Sequence, residues 1–304
     1  VTPRSDAGGV ALVVASATAF GAMAIFARRA YADGIDTATL LALRFGIAAL
    51  LMLGYAWLRG TRWPRGRDLA LLVALGAVGY AGQAASFFTA LTLAPAGLVA
   101  LLLYLFPAMV ALLAAWRLRE RLPPPRIAAL LLALAGSALT VGPALGGAGG
   151  ASSAGIAFAI LAAAIYAVYI VAGTGVAQRV EPVAMATVVI ASAAVVFGGV
   201  ALARGPVLPG SAGGWAAVVA IALVSTVAAI TLFFAGLARV GPTRAATLST
   251  VEPVVTIALA ALVLDERLTG WQLAGGAMIL VAVAAFARAG TRTPVPPPDG
   301  RAGA

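Results

Sequence analysis

The 304-residue sequence contains no cysteine, no histidine and no lysine, and only 10% of its residues are charged. Lack of cysteine excludes disulfides and thiolate metal sites. Lack of histidine excludes imidazole ligands and the dyads or triads built on that ring. An enzyme here would have to work with Asp, Glu, Ser, Tyr and Arg alone, so no catalytic residue, metal site or cofactor is expected. The shortage of charge is the more telling absence, because a soluble domain carries about 25% charged residues. With 62% apolar residues and a mean hydropathy of +1.05, this chain cannot cover a globule with polar surface. A lipid bilayer is the expected solvent for most of it.

The charge that is present is one-sided. Twenty basic residues, all arginine, face 10 acidic ones, for a net +10. Nucleic-acid binding needs a basic face on a soluble domain. Here the arginines fall in short clusters between apolar runs, so no nucleic-acid partner is expected. Cutting at charges, Pro and Gly clusters leaves ten apolar runs, at 9–28, 37–58, 69–93, 96–116, 127–145, 155–177, 183–203, 214–238, 243–264 and 270–288. A membrane-spanning helix needs about 20 apolar residues, and these runs lack the alternation of β-barrel strands. The fold class read from them is an all-α membrane protein of ten transmembrane helices. The first run is read as a retained span and not as a signal peptide.

Loop charge sets the orientation. With the N-terminus inside, 15 arginines lie in inner segments and four (Arg28, Arg29, Arg204 and Arg267) in outer loops. Arg44 lies inside a span. The expectation is a multi-pass protein of the cell (inner) membrane with both termini cytoplasmic. Residues 1–8 are read as a cytoplasmic N-terminus, and 289–304, with its four prolines from Pro294 to Pro298, as a disordered cytoplasmic tail.

A shift of 146 residues superposes the two halves. Pro107 falls on Pro253, Glu120-Arg121-Leu122 on Glu266-Arg267-Leu268, and Phe87-Phe88 on Phe233-Phe234. Across 95–122 against 241–268 there are ten identities in 28 positions without a gap. The units are 9–145 and 155–288, five spans each. Because five is odd, the second unit must enter the membrane in the opposite sense, which makes two inverted five-helix repeats. That arrangement suits alternating access around a central site. There is no P-loop lysine, so transport on this chain alone is facilitated or ion-coupled.

These residues carry a resemblance. Leu105-Phe106-Pro107 through Glu120-Arg121-Leu122, and Glu252-Pro253 through Asp265-Glu266-Arg267-Leu268 with Gly275-Gly276, resemble the ends of EamA repeats. Arg44-Phe45 looks like the arginine that this family places in its second span; the second half has no counterpart. The chain therefore resembles the EamA branch of the ten-helix drug/metabolite transporter superfamily, which covers exporters of amino acids and many other metabolites. The resemblance implies a secondary transporter exporting small organic metabolites such as aromatic or apolar amino acids. Multidrug or organic-cation export, and carriage of phosphorylated metabolites, are the alternatives on the same fold.

Few residues remain to recognise a small-molecule substrate. Glu252 lies about nine residues into its span, roughly 14 Å from the end at 1.5 Å per residue, where a charge is costly unless paired, hydrated or protonated. It reads as a contact for a substrate ammonium, as a proton site, or as a structural acid beside Pro253. Phe106 occupies its position in the first repeat, so the cavity should be chemically lopsided. Arg44 could snorkel outward, pair with Glu252, or meet a substrate carboxylate. Pro107 and Pro253 free the carbonyls of Leu103 and Ser249 and serve either as hinges or as fixed bends. Tyr80, Gln83 and Phe87 share one helix face. With Tyr104, Tyr166, Tyr169 and Ser249 they complete the candidate substrate-binding set, and protons are the candidate coupling ion.

Overall fold

The structure is a computed structural model, and it describes residues 7–118, 124–145, 151–240, 245 and 248–289. The expected tail beyond residue 289, most of the expected N-terminal segment, the Glu120-Arg121-Leu122 triplet and Arg244 lie outside the described residues. Every regular element among the described residues is helical. Six helices are long and apolar enough to cross a membrane: Ala7–Ala32, Thr37–Leu58, Gly66–Leu93, Ser153–Ala177, Pro182–Arg204 and Ala212–Leu237. Four shorter apolar helices, Ala96–Val110, Ile127–Thr140, Val251–Val263 and Gly270–Ala285, occupy the remaining four predicted spans. In chain order these ten helices are the first to the tenth span.

Local chemistry explains where these helices start. Asp36 accepts from the amides of Ala38 (2.8 Å) and Thr39 (3.1 Å) to cap the second span. Ser152 accepts from Gly155 N at 3.0 Å ahead of the sixth, and Ser211 from Gly214 N at 3.1 Å ahead of the eighth. Each satisfies an amide that has no partner within its own helix. Pro182 opens the seventh span at a position where no amide hydrogen is needed.

The packing carries the repeat. The second span lies against the seventh and the fifth against the tenth. The first packs on the eighth and ninth, and the sixth packs on the third and fourth. Exchanging the two repeats maps this set of pairs onto itself, as a pseudo-two-fold relation requires. The repeats thus interleave: each helix that approaches the centre does so against helices of the other half.

Local irregularities follow the same symmetry. A π-helical turn interrupts the third span at Leu75–Tyr80 and the eighth at Leu223–Ala228. The fourth span breaks at Tyr104-Leu105 and the ninth at Ser249-Thr250. Pro107 and Pro253 sit in the first turn after each break, where a missing N–H is tolerated. Outward-facing apolar side chains such as Leu202 (77% exposed) and Leu262 (82%) mark the lipid-facing surface, and Trp57 and Trp116 are exposed near span ends, as interface anchors are.

Small residues permit close helix crossings. A Cβ added to Gly136 in the fifth span would lie 2.6 Å from the carbonyl oxygen of Gly275 in the tenth. Gly136→Ala is therefore expected to destabilise the chain by about 1–3 kcal/mol, the usual range for overpacking a tight contact. Thermal denaturation in detergent checks it, and an unchanged midpoint would show that the backbones can separate without cost.

Candidate functional site

A cavity of about 880 Å³ lies where the repeats meet. Its lining obeys the 146-residue shift: Phe20 with Tyr166, Met23 with Tyr169, Phe87 with Phe233 and Phe88 with Phe234 all border it. So do Arg44 with Ile190, Leu103 with Ser249 and Phe106 with Glu252. The cavity therefore sits on the pseudo-two-fold axis. Chemical asymmetry arises at five of these pairs: Tyr166 and Tyr169 carry hydroxyls where Phe20 and Met23 are apolar, and Arg44, Ser249 and Glu252 are matched by Ile190, Leu103 and Phe106.

The structure places Tyr80, Gln83, Phe87, Tyr104, Tyr166, Tyr169, Ser249 and Glu252 on this one cavity, together with Pro107. Pro253 is buried behind it. Phe20, Met23, Phe88, Phe106, Phe233 and Phe234 line it as well and were not singled out as binding residues from sequence. A usable signal existed for most of them, since shifting Tyr166, Tyr169, Glu252 and Phe87 by 146 lands on four of the six.

Arg44 and Glu252 do not pair. No ion pair joins them among the described residues, and Arg44 does not snorkel outward. Its side chain is buried, with 3% exposure, so the guanidinium does not reach the outer surface. Its Nε donates to Thr226 Oγ1 at 3.0 Å, while the Thr226 hydroxyl donates to Ile221 O at 2.9 Å inside the π-helical turn. The guanidinium carbon lies 4.7 Å from the Phe45 ring centroid and 5.1 Å from that of Phe88. Aromatic faces and a hydroxyl thus hold the cation without neutralising it. Two further hydroxyls in this region stitch helices together: Ser225 donates to Ala19 O at 2.6 Å, and Ser16 donates to Ala229 O at 2.7 Å.

Glu252 has a different partner. The Tyr104 hydroxyl lies 3.0 Å from Glu252 Oε2 and 2.7 Å from the carbonyl oxygen of Ser249. That carbonyl is the one freed by Pro253, so a side chain from the fourth span satisfies the break in the ninth. Behind Glu252, the first span comes so close that a Cβ on Gly21 would lie 2.7 Å from the Glu252 carbonyl oxygen. Thr256 Oγ1 closes this contact by donating to Gly21 O at 2.9 Å.

Aromatic rings connect the two charged groups. Beside Arg44, successive ring centroids are 5.4 Å apart from Phe45 to Tyr80, 5.9 Å from Tyr80 to Tyr169, 6.1 Å from Tyr169 to Tyr166, 4.7 Å from Tyr166 to Phe106 and 5.9 Å from Phe106 to Tyr104. These separations are in the range of favourable ring contacts. The wall between base and acid is a continuous aromatic ribbon.

The two membrane faces differ. At one, Arg28 Nη1 donates to Leu91 O (2.9 Å) and Nη2 meets Glu266 Oε1 at 3.4 Å, while Glu266 Oε2 accepts from Ala96 N at 2.8 Å. On the same face Ser211 N donates to Asp33 (3.0 Å) and Val207 N to Thr39 (3.1 Å). Bonds from Ser211 hold the Asp33 carboxyl below its ordinary range. Partial burial pushes Asp36 upward, but bonds from Thr39 and Ala38 outweigh it and the net shift is downward. Toward the opposite face the cavity lining extends to Ala177, Pro182 and Leu237. There Arg179 bridges to Asp68 at 2.6 Å.

Comparison with known proteins agrees with this architecture. A solved crystal structure superposes on 94% of this chain and 100% of its own length with a TM-score of 0.65 at 22% identity, a likeness of fold. An uncharacterized transporter from Archaeoglobus fulgidus is 29% identical over 280 residues, covering 90% of this chain and 94% of the relative. The EamA-like transporter family matches twice, at residues 7–142 and 153–288. With both repeats matched over nearly the whole length, the chain belongs to the EamA-like transporter family and is a multi-pass membrane transporter, not an enzyme.

Proposed function

We propose that this transporter exports zwitterionic amino acids with aromatic or apolar side chains by alternating access. The observation that carries the reading is that Arg44 and Glu252 line one cavity without neutralising each other. A carboxylate at Arg44 and an ammonium at Glu252 would supply the missing counter-charges, and the aromatic ribbon between them suits an apolar side chain. Pro107 and Pro253, each just after a helix break, are the proposed hinges. The arginine-rich face is taken as cytoplasmic, and with it both termini. The cavity lining reaches toward that face, so this conformation would load from inside the cell.

Two other cargoes fit less well. Phosphorylated metabolites call for several cations, and Arg44 is the sole cation on the cavity among the described residues. Lipophilic organic cations have one observation in their favour, the acid of Glu252 set beside Tyr104 and Phe106.

Counterflow in proteoliposomes decides between them. Vesicles loaded with unlabelled phenylalanine or leucine are expected to accumulate the labelled amino acid. The corresponding amines and phosphorylated sugars are expected to give much weaker exchange. Stronger exchange of the amines than of the amino acids would overturn the zwitterion reading in favour of organic cations.

A further inference from the structure

The contacts of Tyr104 impose a proton count. A phenol carries one hydrogen, yet Tyr104 Oη lies within hydrogen-bond distance of two oxygens, Ser249 O at 2.7 Å and Glu252 Oε2 at 3.0 Å. A carbonyl oxygen has no hydrogen to offer, so the Tyr104 proton goes to Ser249 in the shorter contact. The second contact is then a full hydrogen bond only if Glu252 carries a proton and donates it to Tyr104.

The position of Ser249 gives this count a mechanical consequence. In an uninterrupted helix its carbonyl would accept from residue 253, which is proline and has no amide hydrogen. Its remaining partners are the Glu252 amide at 3.0 Å and the Tyr104 hydroxyl. The Tyr104 bond therefore ties the fourth span to the backbone at the break of the ninth.

We propose that Glu252, Tyr104 and the Ser249 carbonyl form a proton-operated link, in which the protonated acid locks the break of the ninth span and the ionised acid releases it. On ionisation the Glu252 proton leaves to cavity solvent. The carboxylate, now an acceptor only, draws the single Tyr104 hydrogen to itself, since a bond to a charged acceptor is about twice as strong as a neutral one. Ser249 O keeps only its short-range amide bond, and the break is free to bend. The proton is the ligand of this site, and Tyr104 is a positioning residue that converts its presence into backbone geometry.

Few other groups compete for that role. The Ala7–Gly21 helix packed against Glu252 carries no titratable side chain. Tyr166 and Tyr169 face the cavity from the sixth span, Tyr80 from the third and Arg44 from the second. Arg28, Arg29 and Tyr31 are engaged elsewhere, with Leu91, Val263 and Phe88.

This link rests on the transport reading of the cavity but not on the identity of the cargo, and its test uses no amino acid. The full chain in lipid vesicles is followed across pH by two signals. One is the infrared carbonyl stretch of a protonated carboxyl group, assigned by its loss in Glu252→Gln. The other is the alkylation rate of Leu237→Cys on the cavity, which meets no background because the chain has no cysteine of its own. The alkylation rate is expected to change about tenfold over the pH range in which the band titrates, the effect of one hydrogen bond on a two-state equilibrium. Tyr104→Phe should keep a titrating band but lose the rate change. Glu252→Gln, whose amide still donates to Tyr104, should hold the rate at its low-pH value.

A rate that follows pH in either variant, or no protonated band in the unmodified chain, would overturn the link. If Tyr104→Phe fails to fold, Glu252→Gln alone decides. Failure of amino-acid counterflow would leave both signals untouched and would count only against the cargo.

Discussion

Replacing Arg44 by methionine is expected to weaken half-saturation by amino acids about thirty- to hundredfold while leaving the fold intact. The guanidinium is buried, and among the described residues no carboxylate forms an ion pair with it. Its Nε bond to Thr226 and its two aromatic faces orient a charge for which the proposed substrate carboxylate would be the counter-ion. A hydrogen bond to a charged group is worth about 1.5–3 kcal/mol, and each 1.4 kcal/mol is about tenfold in affinity. Methionine conserves most of the length and adds no unsatisfied polar atom, so it removes the charge without opening a cavity. Had Arg44 been paired with Glu252, the same change would strand a buried carboxylate and destabilise the chain by about 3–5 kcal/mol. Counterflow and thermal stability of the variant therefore discriminate. Weak transport with an unchanged melting midpoint supports a substrate-facing cation. A large fall in the midpoint points to a hidden partner, and unchanged counterflow removes Arg44 from binding altogether.

How far the site could be read from sequence depends on what a residue costs in lipid. Glu252, Arg44, Gln83 and the tyrosines stood out because a polar group within a span must find a partner. Phe20 and Met23 did not, because an apolar side chain reads the same whether it faces lipid or cavity. Only the repeat distinguishes them, through Tyr166 and Tyr169. The partner of Arg44 was out of reach for a different reason. Its pairing with Thr226 depends on the π-helical turn at Leu223–Ala228, which rotates the eighth span in a way no apolar periodicity records. In the sequence Glu266 is marked only by the repeated Glu-Arg-Leu triplet. Its bond to the Ala96 amide spans 170 residues and requires knowing that the fourth and ninth spans lie side by side. Inverted repeats predict such neighbours only in kind, since the register between interleaved halves is set by contacts such as Gly21 against Glu252.

That contact yields the other large expected effect. Gly21→Val should abolish transport in a chain that still inserts, and Gly21→Ala should slow it about tenfold. Gly21 is needed for proximity, since a Cβ there would come within 2.7 Å of the Glu252 carbonyl oxygen and 3.0 Å of the Val255 side chain. A backbone oxygen cannot rotate away as the end of a flexible side chain could, so the first and ninth spans must separate. Separation carries Glu252 away from Tyr104, which belongs to the fourth span and does not move with it. A shift of a few tenths of an ångström lengthens the 3.0 Å contact beyond useful hydrogen-bond geometry, and misplacement of one ångström can cost about 100-fold in function. Thr256→Val is the companion measurement: it removes the hydroxyl that donates to Gly21 O and costs about 1 kcal/mol of stability without pushing the helices apart. If Gly21→Ala lowers stability as much as Thr256→Val but leaves exchange rates unchanged, the close approach serves packing alone. If exchange falls in Gly21→Ala and survives in Thr256→Val, the distance between these two spans sets the position of the acid.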